Sequence, residues 1–122
     1  MPRDTSKLHA SQAADRLVID MYKSTRELPR SEQFEIGRQL RRAALSVPTN
    51  LVEGSQRQST REYRRFVEIA LGSAVEVRYL LTVAYRLGVM PEAGGLFSEY
   101  EALVRALQKR FASIGTLPDT RN

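Results

Sequence analysis

Residues 59–87 leave the chain the least freedom. Ser59-Thr60-Arg61-Glu62 sets a serine three residues ahead of a glutamate, so each side chain can satisfy a backbone N–H that a helix start leaves unpaired. Beyond it Phe66, Ala70, Ala74, Val77, Leu81 and Ala84 recur at three- and four-residue spacing. Tyr63, Val67, Leu71 and Val75 widen that stripe, and Leu80 and Leu87 extend it. A stripe so broad must touch more than one neighbouring helix. The spacing predicts a helix over 60–87, about 40 Å long at 1.5 Å per residue, with Gly88 as its C-terminal cap.

Three further helices follow from the same reasoning. Residues 1–10 read as a polar lead-in, and a first helix is expected over 11–27 with Ala14, Leu17, Val18, Met21, Tyr22 and Thr25 on one side. Pro29 interrupts that pattern, and Ser31 is a candidate N-cap for a second helix starting near Glu32. Ile36, Leu40, Ala43, Val47 and Leu51 form the core stripe of this second helix, which Pro48 is expected to kink because proline lacks an N–H and crowds the carbonyl of Ala44. Gly54 can end it with a positive φ, and Ser55-Gln56-Arg57-Gln58 connects it to the next. The fourth helix is expected to begin near Pro91, weakened in its first turn by Gly94-Gly95, with Leu96, Tyr100, Leu103, Leu107, Phe111 and Ile114 on its apolar side. Residues 115–122 are expected to form a disordered tail. No strand-like alternation competes, so the expected fold is an all-α, up-and-down four-helix bundle over 11–114, one domain in a 122-residue chain.

Composition removes several classes of function. There is no cysteine, hence no disulfide and no thiolate metal site. The start of the chain has no apolar core of a signal peptide. The longest uncharged stretch, Ala43 to Val52, falls well short of the roughly 20 residues of a membrane span. A cytoplasmic location is expected, with no membrane partner. The one histidine, His9, lies in the lead-in, so nucleophile–base pairs of the usual kinds and Glu-x-x-His di-iron motifs cannot be assembled. Glu62, Glu68 and Glu76 are candidates for an all-carboxylate metal site, and they more simply decorate solvated or intersubunit surface. No catalytic residue, metal ligand or cofactor is expected, and the chain is not read as an enzyme.

Charge and small residues supply the positive indications. The net charge of +5 lies wholly in the first half, with +2 over residues 1–30 and +3 over 31–65, while residues 66–122 are neutral. Arg38, Arg41 and Arg42 share the side of the second helix away from its stripe. Arg57, Arg61, Arg64 and Arg65 cluster at the start of the third. Arginine's planar fork suits phosphate and carboxylate alike, so these groups fit either nucleic-acid contact or subunit and solvated ion pairs. No aromatic-rich RNA-reading motif accompanies them. Asn50 and Glu53 lie just past Pro48, where an asparagine amide can satisfy freed carbonyls and Glu53 can pair with Arg42 or Arg57. Ala70, Gly72, Ser73 and Ala74 make a small-residue cluster that admits close approach of another helix, from the bundle or from a neighbouring subunit.

Ser46-Val47-Pro48 followed by Asn50-Leu51-Val52-Glu53-Gly54 resembles the "SxP-N-hydrophobic-x-EG" signature of the four-helix-bundle proteins, also called the 23S rRNA intervening-sequence protein family. Gln39-Leu40-Arg41-Arg42-Ala43 before it, and Phe66-x-x-Ile69-Ala70-x-Gly72-Ser73 after it, are similar to the flanking motifs of that family in the same order. The resemblance spans roughly Leu8 to Leu107. It implies a four-helix bundle assembled as a homo-oligomer, a pentameric ring, and it reaches distantly to the accessory variability protein of diversity-generating retroelements, which associates with nucleic acid.

The leading expectation is thus a non-enzymatic oligomeric bundle binding nucleic acid, RNA above all, through arginine–phosphate contacts. Charge reversal of Arg61, Arg64 and Arg65 is then expected to abolish binding with the fold intact. The alternative is a structural or adaptor ring with a protein partner, its arginines used in assembly, which a large residue at Ala74 is expected to dissociate.

Overall fold

The computed structural model describes the backbone of residues 5–115 and the side chains of residues 9–115. Among the described residues there are four long helices and one single turn: α1 (Thr5–Thr25), α2 (Arg30–Gln33), α3 (Ile36–Ser55), α4 (Thr60–Arg86) and α5 (Gly94–Gly115). The long helices pack in a closed ring in the order α1, α3, α4, α5, with α3 on α4 the most extensive contact and α1 on α5 the least. Short connections between successive helices make this an up-and-down bundle. Its axis is filled by Leu17, Met21, Leu40, Leu51, Leu81 and Leu107, all fully buried.

α4 follows its sequence signals closely. The Ser59 hydroxyl accepts the Glu62 N–H at 3.1 Å. At the far end Gly88 has φ +76°, its N–H reaches Tyr85 O at 2.9 Å, and the Val89 N–H reaches Ala84 O at 3.1 Å. That is a Schellman cap, which requires the left-handed residue that glycine supplies without strain.

Four expectations are corrected. Helix α1 begins at Thr5, inside the segment read as a polar lead-in, and Ala10 is already buried in the core. Ala10, Ala14, Leu17 and Met21 extend one apolar stripe back past Ser11, and small alanines made it easy to miss. The expected second helix is divided, because Phe34 and Glu35 form a turn between α2 and α3. Ser31 is not an N-cap: Pro29 occupies that position with no side-chain cap bond. Gln33 stabilises this corner instead, its amide donating to Arg26 O at 3.2 Å and Leu28 O at 3.0 Å just past the end of α1. Gly54, finally, has no positive φ and lies buried inside α3. A Cβ there would stand 2.7 Å from Phe66 Cβ and 3.2 Å from Tyr63 Cδ1, so glycine is needed for the approach of α4 rather than for a turn. The tail expected over 115–122 lies, beyond Gly115, outside the described residues.

α3 runs on past Pro48 to Ser55. Two side chains just beyond the proline bond back to carbonyls of the preceding turn: Thr49 Oγ1 donates to Leu45 O at 2.8 Å, and the Asn50 amide to Ser46 O at 2.8 Å. In the core, the Tyr100 hydroxyl is buried with no hydrogen-bond partner among the described residues. Burial raises its pKa, with the charges of Asp20 and Glu99 adding to the effect.

Glycine to alanine at two positions of the bundle should give opposite signs. Overpacking costs about 1–3 kcal/mol, so Gly54→Ala lowers the urea midpoint despite the ~1 kcal/mol of helix propensity it gains. Gly72 has nothing within 4 Å of an added Cβ, so Gly72→Ala raises the midpoint by up to ~1 kcal/mol equivalent. For Tyr100→Phe, thermal melting should show an unchanged or higher midpoint, since an orphaned buried hydroxyl costs about 1–3 kcal/mol.

Candidate functional site

The α3–α4 hairpin carries most of the residues singled out in the sequence, and its register is antiparallel. Arg42 Nη2 meets Glu76 Oε2 at 2.9 Å, Ser46 Oγ meets Ser73 Oγ at 2.8 Å, and Gly54 lies against Phe66. The Asn50 amide also donates to Ser46 Oγ at 3.0 Å. Ser46, Asn50 and Ser73 thereby form a half-buried polar seam joining the two helices, with Pro48 beside it. These motif residues hold α3 and α4 together.

The small-residue cluster divides by helix face. Ala70 and Ala74 are fully buried in the bundle core, Ser73 belongs to the seam, and Gly72 faces outward with open space above it. A large residue at Ala74 would therefore disrupt the core itself, and cannot report on assembly as expected from the sequence. Glu53 pairs with Arg57 at a long 3.5 Å on the surface, while Arg42 pairs with Glu76. Among the described residues no three histidine or acidic side chains converge, so Glu62, Glu68 and Glu76 do not form one site.

The seven arginines fall at two ends of the hairpin, on the order of 25 Å apart by helical rise. At the α3–α4 connection, Arg57 lies over the Phe66 ring at 4.8 Å. Arg64 stacks on the Phe111 ring at 3.6 Å and donates Nε–H to Phe111 O at 3.2 Å, bridging α4 to α5. Those two groups serve the fold. Arg61 and Arg65 are exposed on the outer side of α4. At the other end, Arg41 donates to Gln33 O at 2.9 Å and secures α2. Arg38 is exposed with its guanidinium 5.9 Å from the ring of Phe34, and the Arg42–Glu76 pair is surface-exposed on both sides.

The two ends differ in charge. Residues 30–42 with 76–86 hold six basic and three acidic groups, a net +3. Residues 53–68 hold four and three, a net +1. Between them, residues 43–52 and 69–75 are uncharged and expose Leu45, Val52 and Ile69. The outer face of the hairpin is apolar in its middle and most basic where α3 begins and α4 ends.

Sequence reasoning missed three features. Arg110 is buried, donating Nε–H to Tyr63 Oη at 3.2 Å with its guanidinium 5.4 Å from that ring; its place in the Leu103, Leu107, Ile114 stripe was the available signal. A groove of about 520 Å³ separates α1 from α5, floored by Ala10, Ala13, Leu103 and Ala106. The Arg16–Glu99 bridge at 2.8 Å stands at one end of it, and Lys109 at the other. Phe34 and Tyr79 are 62% and 64% exposed, and both are aromatic residues off the apolar stripes of their sequence neighbourhoods.

A family model described as 23S rRNA-intervening sequence protein matches residues 6–110. Among solved structures, the chain is similar to a protein of unknown function from the S23 ribosomal protein family of Bacteroides thetaiotaomicron, with 17% identity over 88% of this chain and 98% of that one and a TM-score of 0.81. At that identity the likeness is one of fold. No curated protein matches the chain. No helix among the described residues is long and apolar enough to cross a membrane.

The division of the arginines is open to a direct check. Arg64→Ala should lower stability by about 1–2 kcal/mol in urea titration, through loss of the stacking on Phe111 and a charge-assisted hydrogen bond. Arg65→Ala, which removes no hydrogen bond or ion pair with the described residues, should stay within about 0.5 kcal/mol of the parent.

Proposed function

We propose that this chain, which belongs to the 23S rRNA-intervening sequence protein family, is a non-enzymatic homo-oligomeric bundle that binds nucleic acid through arginine–phosphate contacts on the outer face of α3 and α4. The observation that carries the reading is the distribution of charge. The α3–α4 hairpin with its α2 turn, residues 30–86, holds ten basic and six acidic groups, net +4 of the chain's +5. Three-quarters of that excess is at the end bearing Arg38, Arg42 and Arg86. Guanidinium groups on an exposed helical face can meet phosphates without reading bases, and binding of this kind weakens steeply with salt. The surface pair of Arg42 with Glu76 is no obstacle, since exposed pairs contribute at most about 1 kcal/mol and can exchange partners.

The middle of the same face supports the self-association part of the reading. Leu45, Val52 and Ile69 lie exposed in an uncharged zone flanked by basic ends, with Gly72 leaving room for close approach. Copies that packed there would bring several basic ends together, and several weak contacts would add into avid binding. The pentamer number rests on the family resemblance alone. The adaptor reading, in which this face meets another protein, draws on the same apolar zone.

Fluorescence anisotropy with labelled RNA and DNA at low and moderate salt tests the first part. Expected are affinity that falls steeply with salt and a loss of about tenfold or more at low salt for the double variant Arg38→Glu, Arg86→Glu, with circular dichroism unchanged. No binding at low salt would sink the reading and favour a protein partner. Light scattering tests the second part: Val52→Glu should dissociate the assembly while retaining the helical signal, and a monomeric parent protein would refute self-association.

A further inference from the structure

We infer that the basic end of the α3–α4 hairpin selects single-stranded over duplex nucleic acid, with the exposed rings of Phe34 and Tyr79 as stacking platforms for unpaired bases. This rests on the phosphate-binding reading above and narrows its ligand.

The register of the hairpin brings the parts together. Arg42 lies opposite Glu76 and Ser46 opposite Ser73, so Arg38 is level with the turn of α4 that bears Tyr79 and Leu80. Leu80 points into the core and Tyr79 outward, as the 100° step between neighbouring helical residues requires. Four residues beyond Arg38 in the other direction, Phe34 ends α2 and holds its ring to solvent within reach of the Arg38 guanidinium, 5.9 Å from its centroid. Arg86 is exposed one to two turns past Tyr79 on α4. Two largely exposed aromatic rings, Phe34 with Arg38 over it at the longer distance of 5.9 Å and Tyr79, thus stand among arginines at the end of the hairpin with the larger positive charge.

The other end makes a useful contrast. There the rings of Phe66 and Phe111 are half-buried, each with an arginine of the same chain over it, at 4.8 and 3.6 Å. An exposed phenylalanine costs hydration free energy that folding does not recover, and Phe34 and Tyr79 are each more than 60% exposed. A stacked base would cover them. Bases in a duplex present no free face, whereas unpaired bases stack on aromatic rings with little sequence preference while arginines follow the phosphates. The combination fits a single strand.

The test compares a fluorescein-labelled single strand of about 12 nucleotides with a duplex of the same sequence and length, in anisotropy titrations at one salt concentration on the full chain. The single strand should bind at least about tenfold more tightly than the duplex. Phe34→Ala and Tyr79→Ala should each weaken single-strand binding by about tenfold and leave duplex binding nearly unchanged, while Tyr79→Phe keeps the parent affinity. Thermal melts of each variant establish that the bundle is intact. Equal binding of both forms, insensitive to the alanine variants, overturns the stacking inference and leaves the phosphate reading standing. Loss of affinity in Tyr79→Phe equal to that in Tyr79→Ala also overturns it, by assigning the effect to the hydroxyl. Absence of binding by either form removes both readings together.

Discussion

The close approach of α3 and α4 is the constraint on which the rest of this molecule depends. At Gly54 the two helices are so near that even a methyl group would meet the Phe66 side chain at 2.7 Å. That contact, together with the Ser46–Ser73 bond and the Asn50 amide, fixes the register of the hairpin. Helix packing of this sort tolerates little change of volume, because interiors are filled to crystalline density. Once register is fixed, so is everything on the outer face. Arg42 must stand opposite Glu76, Arg38 level with Tyr79, and Leu45, Val52 and Ile69 in the uncharged zone between the two basic ends.

The same packing decides what each arginine can do. Identical side chains that form one cluster in sequence separate into different physical situations. Arg57 and Arg64 cover aromatic rings, Arg41 and Arg64 satisfy backbone carbonyls, Arg110 is buried against Tyr63, and Arg38 and Arg65 remain outward. An arginine placed over a ring contributes on the order of 1 kcal/mol or more to the fold, and withdrawing it to meet a phosphate would forfeit that contribution. The long-range field of the protein still includes every charge, but short-range contact is left to the few that the bundle does not use. For the functional reading this shifts weight from the start of α4 to the opposite end of the hairpin.

The family motif takes on a different meaning in three dimensions. Ser46, Pro48, Asn50, Glu53, Gly54 and Ser73 read along the chain as a family signature. In the bundle Ser46, Asn50, Gly54 and Ser73 are the parts that let two helices touch. Asn50 and Thr49 bond the carbonyls of Ser46 and Leu45, and glycine clears the way for Phe66. What the face presents outward comes from the residues between them.

Sequence alone determined the helical class, the number of long helices and both ends of α4, because amphipathic spacing, the Ser59–Glu62 pair and Gly88 act through contacts within a few residues. It placed Leu17, Met21, Leu40, Leu51, Leu81 and Leu107 in the core for the same reason. It misjudged the start of α1, where alanines weaken the apolar signal, and the corner around Ser31, where Gln33 reaches back five and seven residues to carbonyls past α1 in place of a serine cap. It misread Gly54, since glycine's two uses, positive φ and absence of a Cβ, look alike in sequence and only the neighbour at 2.7 Å distinguishes them. The candidate site was legible as a set of arginines and illegible as a surface. Which guanidinium meets Phe111 and which meets solvent depends on how α5 packs on α4, a relation between residues 47 apart in the chain that no local pattern encodes.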